Sequence, residues 1–220
     1  MRELAELTSN RIHPALAVVV QGLRLSPNDP ILDLGCGTGA WLQRLHGLGF
    51  RNLSGIDRNP AQFGAHEWAK FVAADVTECA IEGQFALITA IEVIEHLSNP
   101  GALVQNIARA LKPGGFAIIT SPNIYSLRAR LRFLLDPRLS YFEDTAASGA
   151  HPEHTHPIII EAYRRNLFDP ISLEVERTWT IPRTDSEGTR PLMRVVAGAL
   201  RKLLPDPLPG HILCLLLKKK

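Results

Sequence analysis

With 220 residues, 45% of them hydrophobic, the chain is long enough for one large domain with its own core, and its length does not demand a second. Twenty-four basic and 22 acidic residues nearly cancel, which excludes a global field built for wrapping nucleic acid, so any basic surface must be local. Cys36, Cys79 and Cys214 stand far apart with no metal-ligand spacing, so reduced thiols and a cytoplasmic setting are expected; the apolar run Ile212 to Leu217 is too short to span a bilayer.

In chain order, residues from about Glu3 to Leu25 read as helix, because Leu4, Leu7, Ile12, Leu16, Val19 and Leu23 recur at near-helical spacing, and Pro14 marks a break in it. Short apolar runs then alternate with helical stretches. Ile31–Leu34, Leu53–Ile56, Phe71–Ala73, Phe85–Thr89 and Phe116–Thr120 read as strands, and Ile171–Thr180 and His211–Leu217 as two more. The alternation predicts an α/β, doubly wound parallel sheet. Lys112-Pro113-Gly114-Gly115 should end the helix before the fifth strand. Two segments exceed what the sheet needs. Ser121 to about Pro157 holds a helical stretch, Ser126–Leu135, with Leu127, Leu131, Leu134 and Leu135 on one face and Arg128, Arg130 and Arg132 elsewhere. Arg183 to Gly210 holds a second, from about Pro191 to Leu204. Ligands of open α/β sheets bind at the carboxyl ends of the strands, so these insertions (121–157 and 183–210) are expected to cap a substrate site within a single domain spanning 1–220.

The run from Ile31 to Gly39, Ile-Leu-Asp-Leu-Gly-Cys-Gly-Thr-Gly, carries the cofactor chemistry. An apolar strand ends in glycine at every second position, which admits unusual dihedrals and lets backbone approach a ligand. Gly35, Gly37 and Ala40 also satisfy a dinucleotide fingerprint. Asp33 shifts the balance, since a carboxylate before the turn repels a pyrophosphate and suits an ammonium and a sulfonium. The segment resembles the first motif of class I S-adenosylmethionine-dependent methyltransferases. Asp57 follows Gly37 by 20 residues, beside Arg58, and can accept from both ribose hydroxyls, a feature shared with NAD enzymes. In the methyltransferases the acid after the third strand, here Asp75, typically accepts from the adenine amino group, and the N–H of the next residue, here Val76, reaches a ring nitrogen.

Phe85 to Leu97, with its Ile91-Glu92-Val93-Ile94-Glu95-His96 core, and Leu111 to Gly115 are similar to motifs of the ubiquinone-biosynthesis type of O-methyltransferase. This resemblance implies a Rossmann-like methyltransferase fold: a mostly parallel seven-stranded sheet with an antiparallel last strand and a helical cap. It implies S-adenosylmethionine as cofactor, held by Asp33, Gly35, Cys36, Gly37, Gly39, Asp57, Arg58, Asp75 and Val76, with Ala90 and Ile91 flanking its adenine and methionine parts.

On the acceptor side, transfer to a hydroxyl needs alignment and a base. His151, His154 and His156 lie in one short stretch of the first insertion, and His154 or His156 is the expected base, with His96 meeting it from the fourth strand. Glu92, Glu95 and His96 fall at i, i+3 and i+4, one face of a helix if the strand runs straight into one, and that face could hold a cation. Glu92, Glu95, His96 and His154 also resemble the metal-binding glutamates and histidines of small-RNA 3′-terminal 2′-O-methyltransferases. The competing account is that acids favour a helix start and His96 packs. A divalent ion on these ligands could be Mg, Mn, Fe or Zn. The acceptor is expected to be a small molecule, sugar or lipid-linked precursor. Arg190, Arg194 and Arg201 oppose an apolar face in the second insertion, which either packs on the domain or lies on an anionic membrane. An RNA ribose 2′-O-methyltransferase and a binding module without catalysis are the rival readings.

Overall fold

The computed structural model describes residues 8–65, 67–135, 139, 142, 154–182 and 208–220. Seven strands, β1 (Ile31–Leu34), β2 (Leu53–Asp57), β3 (Ala69–Ala73), β4 (Phe85–Ile91), β5 (Leu111–Pro122), β6 (Leu173–Ile181) and β7 (Ile212–Lys219), form one sheet in the order β3-β2-β1-β4-β5-β7-β6. Strands β1 to β5 pair in parallel, and β7 runs antiparallel to both β5 and β6. Every residue of β1 is buried, as expected for a central strand covered on both faces.

The strand expected at Phe116–Thr120 is longer than its apolar run. Phe85 pairs with Leu111 and Leu87 with Phe116, so Lys112-Pro113-Gly114-Gly115 loops out as an irregularity within β5, with Gly114 at φ 73°. The glycines do supply a reversal, but inside the strand's span rather than ahead of it.

Helices cover both faces. A π-turn (Thr8–Ile12) leads into α1 (His13–Gly22), with Pro14 in the first turn, where its missing N–H costs nothing. The break read from Pro14 is thus the junction between the two, and the segment's first residues, 1–7, lie outside the described residues. α2 spans Ala40–Gly47. α3 spans Pro100–Ala110, and its start is set by Asn99, whose side chain accepts from Ala102 N–H at 3.1 Å. Alternate residues of β1 feed two cores: Ile31 packs with Leu16, Val20, Trp41 and Leu45 of α1 and α2, while Leu32 and Leu34 pack with Leu103, Val104 and Ile107 of α3.

Beyond β5, α4 spans Leu127–Leu135. Its leucines do not share one buried face: Leu127 is buried, whereas Leu134 and Leu135 are 79% and 80% exposed. α5 (Ile160–Tyr163) continues as a π-turn (Arg164–Phe168) into β6. The proposed helix at Pro191–Leu204 lies outside the described residues.

A buried amide ties α3 to the loop after β3. Asn106 Nδ2 donates to the carbonyls of Val76 at 2.8 Å and Cys79 at 3.2 Å. Asn106→Leu leaves both carbonyls without this donor and should cost about 1–3 kcal/mol. Urea denaturation reads it as a lowered midpoint at unchanged slope; a wild-type midpoint would show that the loop does not depend on the amide.

Candidate active site

The alternating glycines have a direct geometric cause. Gly35, Gly37 and Gly39 all sit at positive φ, at 70°, 49° and 78°, so each second residue adopts a conformation that a side chain would strain. The N–H groups of Gly35 and Cys36 both donate to Ile56 O, at 2.8 and 3.1 Å, which pulls the loop onto the end of β2. At Gly39 a Cβ would stand 2.6 Å from the Cβ of Ala65, so strain and crowding exclude a side chain together. Cys36 contributes packing, since burial and the nearby carboxylates push its thiol above its ordinary range.

Asp57 closes the loop from the other side. Its carboxylate accepts from Gly37 N–H and Asn59 N–H, each at 2.8 Å. The 20-residue spacing from Gly37 is therefore a contact as well as a motif interval. After β3, Asp75 Oδ1 accepts from the Thr77 hydroxyl at 2.6 Å and the Thr77 N–H at 2.8 Å, which hold it below the usual carboxylate range. The exposed guanidinium of Arg58 stands 4.0 Å from Asp75 Oδ2, and Val76 beside it is buried. Ala90 and Ile91 end β4 in the interior. The residues assigned to a cofactor thus gather at the carboxyl ends of β1, β2, β3 and β4.

Asp33 lies beneath them, 3% exposed. Burial pushes its carboxyl up to about 7 and the charge of Asp57 adds to the rise, against the hydrogen bond that Thr89 donates to Asp33 Oδ1 at 2.6 Å. Thr89 in turn accepts from Trp41 Nε1 at 3.1 Å. These two partners carry no motif signature. The register sets Thr89 opposite Asp33, and the packing of α2 on the sheet brings Trp41 to it.

Past Ile91 the chain does not continue into a helix. Glu92 takes a left-handed φ of 54°, and Ile94–His96 forms a single 3-10 turn. The i, i+3, i+4 face expected for Glu92, Glu95 and His96 is corrected accordingly. Glu92 folds back on Thr120, whose hydroxyl donates to Glu92 Oε1 at 2.8 Å and accepts from Glu92 N–H at 3.0 Å. Glu95, His96 and His154 instead come together, each with one ligand atom within 4.8 Å of the others.

Glu95 organises this cluster twice over. Its carbonyl accepts from Thr155 N–H at 2.8 Å and His156 N–H at 3.2 Å, which docks the histidine stretch against the 3-10 turn. The His154 ring then sits 4.6 Å from the His96 ring. The Glu95 side chain is fully buried with both carboxylate oxygens lacking a hydrogen-bond partner among the described residues, as are the hydroxyls of Ser121 and Tyr163. Burial, and then the charge of Glu92, hold its carboxyl well above the usual range, and burial with the charge of Glu95 pushes Tyr163 up to about 12. An unpaired buried carboxylate beside two imidazoles has the donor chemistry of a divalent-cation site. His156 is not part of this group, its Nδ1 standing 2.9 Å from the Thr155 hydroxyl, and His151 lies outside the described residues.

A family model for the methyltransferase domain matches residues 7–173. The chain is similar to a ubiquinone biosynthesis O-methyltransferase of Thiobacillus denitrificans, 32% identical over 103 residues, which are 42% of this chain and 44% of that protein. It thus spans less than half the length of this relative. Its fold is similar to that of an S-adenosylmethionine-dependent methyltransferase from Archaeoglobus fulgidus, with a TM-score of 0.64 at 18% identity over all of both chains. It is also similar to a magnesium protoporphyrin IX methyltransferase from Synechocystis solved with S-adenosylhomocysteine, with a TM-score of 0.57 at 15% identity over 98% of this chain and 83% of that one.

The raised Asp33 carboxyl gives a stability prediction with a definite sign. The folded state holds this proton up to about pH 7, whereas the unfolded chain releases it near 3.8. The contribution is complete below pH 4 and is lost as the pH rises through 7. Thermal melting of the unliganded protein should therefore show a fall between about pH 5 and 8 that Asp33→Asn flattens. An unchanged slope in that variant would place the titration elsewhere.

Proposed function

This chain belongs to the methyltransferase domain family, and from that premise we propose that it moves the methyl group of S-adenosylmethionine to a hydroxyl oxygen of a small-molecule, sugar or lipid-linked acceptor. The observation that carries the reading is the docking of the histidine stretch on Glu95, which puts two imidazoles just past the strand end that carries the cofactor residues.

S-adenosylmethionine, when bound, supplies an electrophilic methyl carbon on a sulfonium. The glycine loop and Asp57 give it backbone room and a ribose acceptor, Asp75 and Val76 face the adenine, and Asp33 offers charge to the ammonium. The remaining work is alignment of the acceptor and removal of its proton. His154 is half-buried and His96 exposed, so the pair can meet an incoming hydroxyl while Glu95 stays behind them. A divalent cation fits Glu95, His96 and His154, with Glu92 nearby, and would supply acidification of the acceptor hydroxyl; without it, His154 takes the proton as a base.

The two insertions support one cap. Asn123, at the start of the first, donates through Nδ2 to the carbonyls of Leu208 and Gly210 at the end of the second, each at 2.8 Å. The Tyr125 hydroxyl accepts from Ile160 N–H at 2.7 Å and so ties the start of the first to the helix just past its end. Segments 121–157 and 183–210 would then close over the acceptor as parts of a single domain. Among the described residues no helix is long and apolar enough to cross a membrane.

S-adenosylhomocysteine should raise the melting temperature. Asp57→Ala should weaken its binding by about tenfold or more, since the variant loses a charged acceptor for the ribose and the anchor of Gly37 together. Calorimetry with unchanged affinity would remove Asp57 from the cofactor site.

His154→Ala should lower turnover by roughly a hundredfold or more while leaving cofactor affinity nearly unchanged. Loss on chelation with recovery on adding a divalent ion favours the cation reading over the simple base. Full activity of both His154→Ala and His156→Ala, assayed on the true acceptor, would leave alignment as the sole device. Salt-sensitive affinity for RNA would move the acceptor to a ribose hydroxyl.

A further inference from the structure

The side chains behind Asp33 form a relay with a fixed direction. An indole N–H can only donate, so Trp41 Nε1, 3.1 Å from Thr89 Oγ1, occupies that oxygen as an acceptor. The single hydroxyl proton of Thr89 is then free for one acceptor. Asp33 Oδ1 stands at 2.6 Å and the carbonyl of Leu32 at 3.4 Å, so the carboxylate takes it, at a separation typical of a hydroxyl donating to an anion. Thr89 is fully buried and Trp41 nearly so, which leaves the relay out of competition with bulk water.

We propose that Thr89 and Trp41 are positioning residues for cofactor binding, whose relay holds Asp33 as the carboxylate that meets the ammonium group of S-adenosylmethionine. The inference rests on the cofactor placement proposed above and adds to it how that one charge is kept available. Among the described residues, the other ionisable groups facing Asp33 do not favour its ionisation. Asp57, from β2, opposes it. The Cys36 thiol, in the glycine loop, stays neutral because burial pushes it up. His13, from α1, reaches the relay only through ring contact with Trp41 at 5.2 Å, and burial with the charge of Arg44 pulls it down to about 4, so it too is neutral at ordinary pH. Thr89 supplies the hydrogen bond among these groups that favours the anion.

The test is calorimetric titration between about pH 5 and 8 with two probes: S-adenosylhomocysteine, which carries the ammonium, and 5′-methylthioadenosine, which lacks the amino-acid part. Wild-type affinity for S-adenosylhomocysteine should fall as the pH drops through the Asp33 titration, while affinity for methylthioadenosine stays flat. Thr89→Val, close to isosteric, should move the S-adenosylhomocysteine midpoint upward by about one pH unit. Trp41→Phe should move it the same way by less, and Thr89→Ser should restore the wild-type profile. An unshifted profile in Thr89→Val, or an equal loss for methylthioadenosine, overturns the relay. Asp33→Asn separates the two levels: it should weaken S-adenosylhomocysteine at least tenfold and abolish the pH dependence. Wild-type affinity in Asp33→Asn overturns the cofactor placement itself and the relay with it.

Discussion

Asp33 and Glu95 are taken out of water, and Glu92 partly so, at the carboxyl ends of two adjacent strands, and the rest of the site is organised around that cost. Desolvation raises all three, and among the described residues no lysine or arginine figures among the groups that act on them. Hydroxyls are what the neighbouring strands provide: Thr89 donates to Asp33 and Thr120 to Glu92, while Ser121 lies beside Glu95 without good hydrogen-bond geometry. A hydroxyl favours the anion only modestly. The charges are therefore left partly unanswered, and a cationic ligand that completes them gains more here than it would in water.

The half of the site that was legible in the sequence is the half encoded by local backbone demands. Glycine at 35, 37 and 39 reports three positive-φ positions, and an acid at the end of a short apolar run reports a strand terminus, so the glycine loop, Asp57 and Asp75 could be placed without a structure. The seven strands along the chain follow from the same alternation, with the antiparallel last strand supplied by resemblance, whereas their order in the sheet is seen only in the structure. What stayed hidden depends on register or on a single dihedral. Thr89 is an ordinary strand threonine until β1 and β4 are aligned, and Asn106 an ordinary helix residue until the loop after β3 lies against it. By their spacing, Glu92, Glu95 and His96 would share a helical face only if the strand ran straight into a helix. Thr120, 28 residues away, holds the backbone and carboxylate of Glu92 together in the left-handed form. The leucines of α4 mislead for a related reason, since a helical stripe records spacing but not whether a core lies beneath its far end.

β4 links the two chemistries through its two faces. Thr89 points to the core of α1 and α2, where Trp41 and Asp33 meet it, whereas Ile94, beyond the strand end, packs in the core of α3 and Tyr163. The left-handed residue at Glu92 makes the change of side possible, because it breaks the strand's alternation and lets the 3-10 turn drop Glu95 into the interior while its carbonyl faces the histidine stretch. Thr89, the partner of Asp33, and Glu95, which docks the histidine stretch, thus lie six residues apart along the chain, one on β4 and the other in the turn that follows it. Insertions can vary around that pair without disturbing it. On the proposed reading, acceptor choice would fall to the segments that leave after β5 and return before β7, which the Asn123 hydrogen bonds to Leu208 and Gly210 join at their described ends.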